Sequence, residues 1–401
     1  MNYKKVRMTM NKKLISLLLL LVGFWALANA QEDGKITVKG KIVDGKTGEP
    51  VAFANLGLLG TVAGVASDME GYFELTVPDR YATHKIRVSA VGYGPAEMKV
   101  YEANGKPDLI IKLKPVTYGI GEVDVYGQLL VYKKMLQNVV NNIARNYIDQ
   151  PYNYEGYIKY SVQPDDQEKL KEATVTIYDA QGYHREDVAN AFKAVNYKFN
   201  EIRRNQKPVS VLDGLTCLDD ILTADFVRNT RNVLDIVNSR DYKLKSKGKM
   251  VYEGDSVQVI SYTATHPALS TTGDAGVQSY SGEIYVNLKN FAVLKNVVHI
   301  TSKDFNALGR NLIPVDETPK SDVSMTITTT YKKVGNSPYF LSGANIEYAY
   351  KEKEKGVKGK MEYITTRVET KNPVAIEGRM YYEDIKANED FWNRYSVYFQ
   401  E

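Results

Sequence analysis

Residues 40–77 read GKIVDGKTGEPVAFANLGLLGTVAGVASDMEGYFELTV, and residues 87–96 read RVSAVGYGPA. At the front of this stretch Ile36, Val38, Gly40 and Ile42 alternate with Lys35, Thr37, Lys39 and Lys41. A period of two marks a half-buried strand. Residues 44–50 (DGKTGEP) are turn chemistry: Gly takes a positive φ without a Cβ clash, and Pro50 fixes φ before the chain extends again. Residues 51–59 are mostly apolar and are expected to form a second strand covered on both faces. Asp68, Met69, Glu70 and Gly71 make another tight turn, followed by Tyr72, Phe73, Leu75 and Val77. Ile86, Val88 and Ala90 lead to a corner at Gly92 and Tyr93, and residues 109–113 close the unit. Short strands punctuated by glycine turns predict a small antiparallel β-sandwich.

Three pieces of this stretch carry a family resemblance: G-K-I-V-D…G-E-P-V-A-F-A-N, then S-D-M-E-G-Y-F-E-L, then V-S-A-V-G-Y. Together they resemble the carboxypeptidase-regulatory-like domain, a transthyretin-like sandwich, over residues 36–113. The resemblance covers about a fifth of the chain. Ser67-Asp68 stands where the family more often has Thr-Asp, and Ser can make the same local hydroxyl bond. The resemblance implies a cell-envelope protein of Gram-negative bacteria, since such domains often stand at the N-terminus of envelope proteins, TonB-dependent transporters among them.

Upstream, residues 1–30 have the order of an export signal. Lys4, Lys5, Arg7, Lys12 and Lys13 form a basic region, residues 14–27 an apolar run, and Ala28-Asn29-Ala30 a small-x-small cleavage site before Gln31. The apolar run is shorter than the ~20 residues a membrane span needs, so no span is expected in the mature chain. No cysteine follows the run, which argues against a lipid anchor; Met8 or Met10 could serve as the start. Removing the five basic side chains takes the net charge from +4 to −1. That balance offers no footprint for nucleic acid and no polybasic membrane patch. Cys217 is the only cysteine, so an internal disulfide is impossible and the fold rests on its cores. Set among Leu215, Leu218, Ile221 and Leu222, it reads as a small buried hydrophobe rather than a nucleophile.

Beyond a short N-terminal extension (31–35) and the sandwich (36–114), residues 115–127 read as a linker strand marked by Pro115, Gly119, Gly121 and Gly127. A second domain is expected over 128–401. It opens on an amphipathic helix carrying Tyr132, Met135, Leu136, Val139, Val140, Ile143 and Tyr147 at helical spacing, stopped near Pro151. Tyr154, Gly156, Ile158 and Tyr160 then share one face of a strand, and Ala173, Val175 and Ile177 that of the next. Residues 282–288 and 291–301 predict a hairpin turning at Lys289 and Asn290. Val323, Met325, Ile327, Thr329 and Tyr331 alternate cleanly with polar residues; strands at 339–350 and 360–369 follow, joined by a charged tip at 351–358. A helical interruption is expected over 215–237. The fold class is mainly β, or α+β: a transthyretin-like antiparallel sandwich followed by an antiparallel-sheet domain with a few helices. The order of elements resembles the lipoprotein-carrier half-barrel, in which a curved sheet wraps helices around an apolar cavity, but no diagnostic motif of that family is present. A 22-stranded transporter barrel with its plug does not fit in the remaining length.

Catalytic chemistry is sparse. The four histidines, His84, His184, His266 and His299, are far apart, and none starts an H-x-x-E or H-E-x-x-H motif, so no zinc site is expected. There is no G-x-S-x-G elbow, P-loop or dinucleotide fingerprint. The acidic pairs Asp165-Asp166, Asp219-Asp220 and Glu383-Asp384 could serve as acid and base, but loop solvation explains them better. The turn at Asp68, Met69, Glu70 and Gly71 needs no calcium to account for it. Tyrosines crowd the strands of the second domain, where strand packing accounts for them more simply than sugar stacking. The aromatic end, Phe391, Trp392 and Tyr395, could dock the tail onto the domain or be displayed as a tag for a partner.

No catalytic, cofactor-binding or metal-binding residue is therefore singled out, and no cofactor is expected. The reading is a non-catalytic, exported cell-envelope protein, periplasmic or associated with the outer membrane. The sandwich would be its docking module and the larger β-rich domain a receptor for an outer-membrane or periplasmic protein. The alternative is a carrier of an apolar ligand, lipid or lipoprotein-like, in a sheet-lined cavity; an envelope hydrolase is a distant third. Large inner-face residues such as Tyr285, Met325, Ile327, Tyr331 and Tyr348 favour a filled core, because an apolar void costs stability in proportion to its volume.

Overall fold

The computed structural model describes residues 34–61, 64–116, 125–164, 169–185, 195–203, 217–235, 238–274, 276–304, 320–333, 335, 337–380, 382–392 and 395. The expected export segment, most of the linker and Asp165-Asp166 lie outside these residues, as do the side chains of Cys217, Asp219, Asp220 and Glu383.

The first β unit holds β1 (Lys35–Asp44), β2 (Asn55–Leu58), β3 (Gly64–Ala66), β4 (Tyr72–Pro78), β5 (Lys85–Ser89), β6 (Tyr93–Gly94), β7 (Ala96–Lys99), the short helix α1 (Val100–Ala103) and β8 (Ile110–Pro115). They make two four-stranded sheets, ordered β4-β1-β8-β6 and β3-β2-β5-β7. Val38, Ile42, Leu56, Leu58, Leu75, Val88 and Leu113 meet between them, all at most 2% exposed. The expected alternation in β1 holds, and β1 pairs antiparallel with β4 but parallel with β8.

Two turns set the shape of this unit. Gly71 has φ +81°, and a Cβ there would lie 2.3 Å from the Ile42 carbonyl oxygen. Its own N–H donates to Asp68 O at 3.0 Å, closing the turn the sequence indicated. The expected strand over 51–59 is shorter than its apolarity suggested: only Asn55–Leu58 is strand. Ser67 Oγ donates to Val51 O at 2.7 Å and accepts the Ala54 N–H at 2.9 Å, so a side chain takes the place of a ladder partner. Phe53 adopts φ +56° in the resulting turn.

The second unit runs α2 (Val125–Asn141), α3 (Ile143–Asn146), β9 (Tyr152–Pro164), β10 (Lys169–Asp179), β11 (Val195–Ile202), α4 (Cys217–Ala224), β12 (Tyr242–Tyr252), β13 (Asp255–Ala264), α5 (Leu269–Thr272), β14 (Val277–Asn287), β15 (Val293–Asp304), β16 (Lys320–Lys332), β17 (Phe340–Glu352), β18 (Lys355–Glu369), β19 (Arg379–Met380) and α6 (Glu389–Trp392). Its strands form one open eleven-stranded sheet, β12-β13-β14-β15-β16-β17-β18-β9-β10-β11-β19. It is antiparallel throughout except for the β11–β19 pair at one edge. The meander therefore wraps in sequence from β12 to β18 and then takes β9 alongside β18. Helix α2 packs against β12, and α4 against β17 and β18, on one face of the sheet.

Three local expectations change. The β14–β15 hairpin turns over 288–292 rather than two residues, with Phe291 at φ +63°. The charged tip at 351–358 is mostly strand: β17 and β18 meet at a two-residue turn, Lys353 and Glu354, both at positive φ. The helix expected over 215–237 is only eight residues long, and turns follow it. The cause is in the Asp and Asn residues that come next. Asp225 accepts the Val227 and Arg228 N–H groups, and Asp235 accepts those of Arg231 and Asn232. Asn229 Nδ2 donates back to the carbonyls of Leu222, Thr223 and Asp225. Short polar side chains that satisfy the backbone locally compete with the helix ladder, and here they win.

Tyrosine packs the large sheet. Tyr363 lies across Gly156 on the neighbouring strand, within 2.3 Å of where a Cβ would stand. Several buried hydroxyls find partners: Tyr147 donates to Val293 O at 2.8 Å, Tyr262 to Asn296 Oδ1 at 2.9 Å, and Tyr160 and Tyr348 pair at 2.8 Å. An unsatisfied buried hydroxyl offsets part of what its ring gains, so these bonds help the core carry many tyrosines.

Candidate functional site

The two faces of the large sheet are covered in different ways. On the helix-bearing face, α2 contributes Tyr132, Leu136 and Val139 to the core, and α4 contributes Leu218, Ile221 and Leu222. The turns after α4 add Phe226, Val227, Val233 and Leu234 to the same cluster. An ion pair pins this segment down. Arg228 pairs through Nη1 with Asp179 Oδ2, and its Nη2 donates to Asp179 Oδ1 at 3.2 Å. Asp179 is 0% exposed and Arg228 5%. Asp179 Oδ1 also accepts the N–H groups of Gln181 and Gly182, both at 3.0 Å. Nearby, Tyr331 donates to Asp225 Oδ1 at 2.7 Å, and burial raises the Asp225 carboxyl above its ordinary range against the pull of Tyr331 and Arg228. The gap left between this segment and the sheet, lined by Tyr152, Tyr154, Tyr183, Leu222 and Phe340 among others, holds about 10 Å³. That is about the space of one water molecule. A second gap, beside Phe226, Tyr280 and Ile327, is also about 10 Å³.

The opposite face meets the sandwich. Along β9 and β18 a half-exposed sheet would alternate, yet Tyr157 and Glu362, which point away from the helices, are 7% and 1% exposed. The turn at residues 68–71 covers Glu362, and the C-terminal aromatics lie on Tyr157. Met69 N–H donates to Glu362 Oε1 at 3.0 Å, while Glu362 Oε2 is buried with no hydrogen-bond partner. Glu70 pairs with Lys159 at 3.5 Å and Lys360 at 3.4 Å. Elsewhere along the seam Ser89 Oγ donates to Glu253 Oε1 at 3.3 Å, and Val91 joins the core of the second unit. Phe53 lies on Gly343, with ring atoms 2.9 and 3.1 Å from where a Cβ would be.

Charge is unevenly matched at this seam. Burial, with Asp68 adding like charge, pushes the Glu362 carboxyl up to about 8, and Lys159 only partly opposes it. Burial pushes Asp68 up to about 6 despite its bond from the Tyr72 N–H. For Glu70, burial is outweighed by Lys159 and Lys360, and its pKa falls below the usual carboxylate value. Burial likewise works against charged Lys159, but Glu70, Glu362 and Asp68 together raise it.

Beside this clasp the two units separate into a cleft of about 610 Å³. The sandwich contributes Lys39, Lys41, Tyr72, Phe73 and Ile110; the large sheet contributes Tyr157, Lys159, Arg203 and Ile364. Tyr72 and Ile110 are each 55% exposed, and both flank Lys41 in the strand register. The C-terminal aromatics close one end. Trp392 is 7% exposed, edge-on to Tyr157 at 6.3 Å, and Tyr395 stacks on Tyr157 at the same distance. Arg203 sits over the Trp392 ring and pairs with Glu172, which also accepts the Tyr157 hydroxyl at 2.6 Å. The tail thus docks on the domain, one of the two roles its sequence suggested.

The structure does not gather the residues singled out as chemical candidates. His84 stands in the sandwich edge-on to Tyr81, and His299 lies on β15 beside Thr326. His184 follows β10, and His266 lies between β13 and α5. Among the described residues no three His, Cys, Asp or Glu side chains are grouped as a metal site requires. The Asp68 and Glu70 carboxylates face a backbone amide and two lysines, which fits the turn reading. The sequence reading missed Glu362, Lys159 and the cleft. The available signal was weak: Tyr157 and Ile364 are large side chains on a face that was read as polar.

Residues 38–125 match the family described as the CarboxypepD_reg-like domain, so the chain carries a domain of that class in its first β unit. Over 123 residues the chain is 36% identical to the TonB-dependent receptor SusC of Bacteroides thetaiotaomicron. The match takes in 29% of this chain and spans only 12% of the receptor's length. Among solved structures, the chain is similar to a putative outer membrane lipoprotein-sorting protein domain from Vibrio parahaemolyticus, at 9% identity and a TM-score of 0.27, over 61% of this chain and 94% of that one. It is also similar to a LolA superfamily protein from Nitrosomonas europaea, at 11% identity and a TM-score of 0.23, over 60% of this chain and 94% of that one. No helix among the described residues is long and apolar enough to cross a membrane.

Proposed function

We propose that this is a non-catalytic, exported cell-envelope protein that works by docking another envelope protein against the cleft between its CarboxypepD_reg-like domain and its large sheet. One observation carries the reading. Among the described residues, the face of the sheet where a carrier would hold its cargo is covered by the chain's own α2, α4 and residues 225–235, and two gaps beside them are about 10 Å³ each. The cleft on the other face has about 610 Å³ and exposes Tyr72 and Ile110. Its rim mixes Lys39, Lys41, Lys159 and Arg203 with Asp68, Glu74 and Asp108, and an exposed apolar patch within a polar rim is a feature of protein-binding surfaces. An envelope setting is supported by the basic, apolar and A-x-A order of residues 1–30 and by the match to a domain of a TonB-dependent receptor.

The carrier alternative requires residues 217–235 to leave the sheet, breaking the Arg228–Asp179 pair as they go. Photo-crosslinking residues introduced in cells at Tyr72 and Ile110 test the docking reading. One discrete envelope protein crosslinked at both positions, and not at the exposed α2 position Val131, is the expected result. Equal, diffuse crosslinking at all three positions would count against it.

A further inference from the structure

The seam between the two β units is built around a carboxyl group that has one partner too few. Glu362 lies on β18 with Lys159 of β9 and Asn345 of β17 as its cross-strand neighbours. Lys159 in turn stands between Glu362 and Glu172 of β10. From the sandwich, the turn at residues 68–71 brings the Met69 N–H to Glu362 Oε1 and the Asp68 and Glu70 carboxyls close by; Lys360, two residues along β18, pairs with Glu70. Three carboxyl groups thus share two lysines, and Glu70 engages both of those lysines directly. Glu362 is 1% exposed and its Oε2 has no partner.

A neutral carboxyl suits this position, since its carbonyl oxygen accepts the Met69 amide and no charge is buried. An ionised one does not: it would be a desolvated anion facing two others, a costly arrangement unless the group is rehydrated. The sandwich is the part that can yield. Among the described residues it meets this face through the polar contacts of residues 68–71 and Ser89 and through Phe53, Val91 and Val116, while the large sheet keeps its ladder hydrogen bonds. We infer that the contact between the sandwich and the sheet is a proton-operated clasp, closed while Glu362 is protonated and released when it ionises, so that release widens the adjoining cleft. The strong upward displacement of the Glu362 carboxyl, to about 8, sets the range in which release occurs. The counter-pull of Lys159 and the like charge of Asp68 and Glu70 then tune its midpoint.

Distance measurement between fluorescent labels tests this on the full chain. Labels at Lys106→Cys and Lys243→Cys, in a Cys217→Ser background, report the separation of the two units from pH 4.5 to 9. The expected result is a single closed distance at the acid end that lengthens or broadens as pH rises towards about 8, with no further change above it. Glu362→Gln keeps the acceptor for Met69 without the charge and should stay closed across the range. Asp68→Asn, which keeps an acceptor for the Tyr72 amide but removes a like charge, leaves the ionised closed state less unfavourable and should reduce the extent of opening at high pH. A wild-type distance that does not change with pH overturns the clasp, as does opening of Glu362→Gln at the wild-type midpoint. Should Glu362→Gln fail to fold, Asp68→Asn decides, because an undiminished extent of opening would mean that repulsion at Glu362 does not drive release.

Discussion

The Arg228–Asp179 pair ties residues 217–235 to the sheet alongside their buried apolar side chains, and its removal has a calculable cost. Asp179→Asn is close to isosteric and keeps an oxygen to accept the Gln181 and Gly182 amides. What it removes is the negative charge beneath Arg228, whose side chain is 6% exposed. Breaking a buried pair by deleting one partner costs ~3–5 kcal/mol, because the remaining charge is left desolvated and uncompensated. The Coulomb attraction alone would overstate this, since much of it repays the desolvation of both groups. Arg228→Met should cost less, because the remaining Asp179 keeps two backbone donors, and the double variant should recover more than ~1 kcal/mol relative to the sum of the singles. Urea unfolding followed by circular dichroism gives these differences. Binding of a hydrophobic dye should rise in Asp179→Asn as the segment loosens. A loss below about 1 kcal/mol in Asp179→Asn, with no dye binding, would refute the idea that this pair closes the helix-bearing face.

Two further outcomes follow from single groups. Gly71→Val puts a Cβ 2.3 Å from the Ile42 carbonyl at a φ of +81°, so it should destabilise the sandwich by at least ~1–3 kcal/mol, read as a lowered thermal midpoint. Unchanged unfolding would remove the turn argument. Glu362 binds its proton more tightly folded than unfolded, so its contribution to stability is complete below its ordinary value of 4.5 and is lost as pH rises towards about 8. Stability should therefore fall across that window by up to about 1.4 kcal/mol per pH unit. Glu362→Gln should flatten the fall, and an identical slope in the variant would assign it to other groups.

The sandwich was legible because its signals are local. Gly71 must turn, and Ile36, Val38 and Ile42 must face inward, whatever else the chain does. The four residues before β2 were misread because Val51 and Phe53 are apolar for different reasons: Val51 packs in the sandwich core, while Phe53 reaches across to Gly343. In the large sheet, β16 reads cleanly because one face is buried and the other is not. Along β9 and β18 that contrast fails, since Glu362 is covered by Met69, 293 positions away, and Tyr157 by Trp392 and Tyr395 from the end of the chain. No window of sequence contains that contact. The helix expected over 215–237 failed for a reason that was visible, the Asp and Asn residues at 225, 229, 232 and 235, each placed to bond its own backbone. The pairing of Arg228 with Asp179 across 49 positions was not visible.

The central claim is that the large sheet is filled and works from its other face. The most direct measurement is the lipid content of the full chain purified from an envelope fraction, extracted and quantified by mass spectrometry. A filled helix-bearing face predicts no stoichiometric lipid and a thermal midpoint unchanged by delipidation. Lipid near one molecule per chain, with stability lost when it is removed, would contradict the claim and make the protein a carrier.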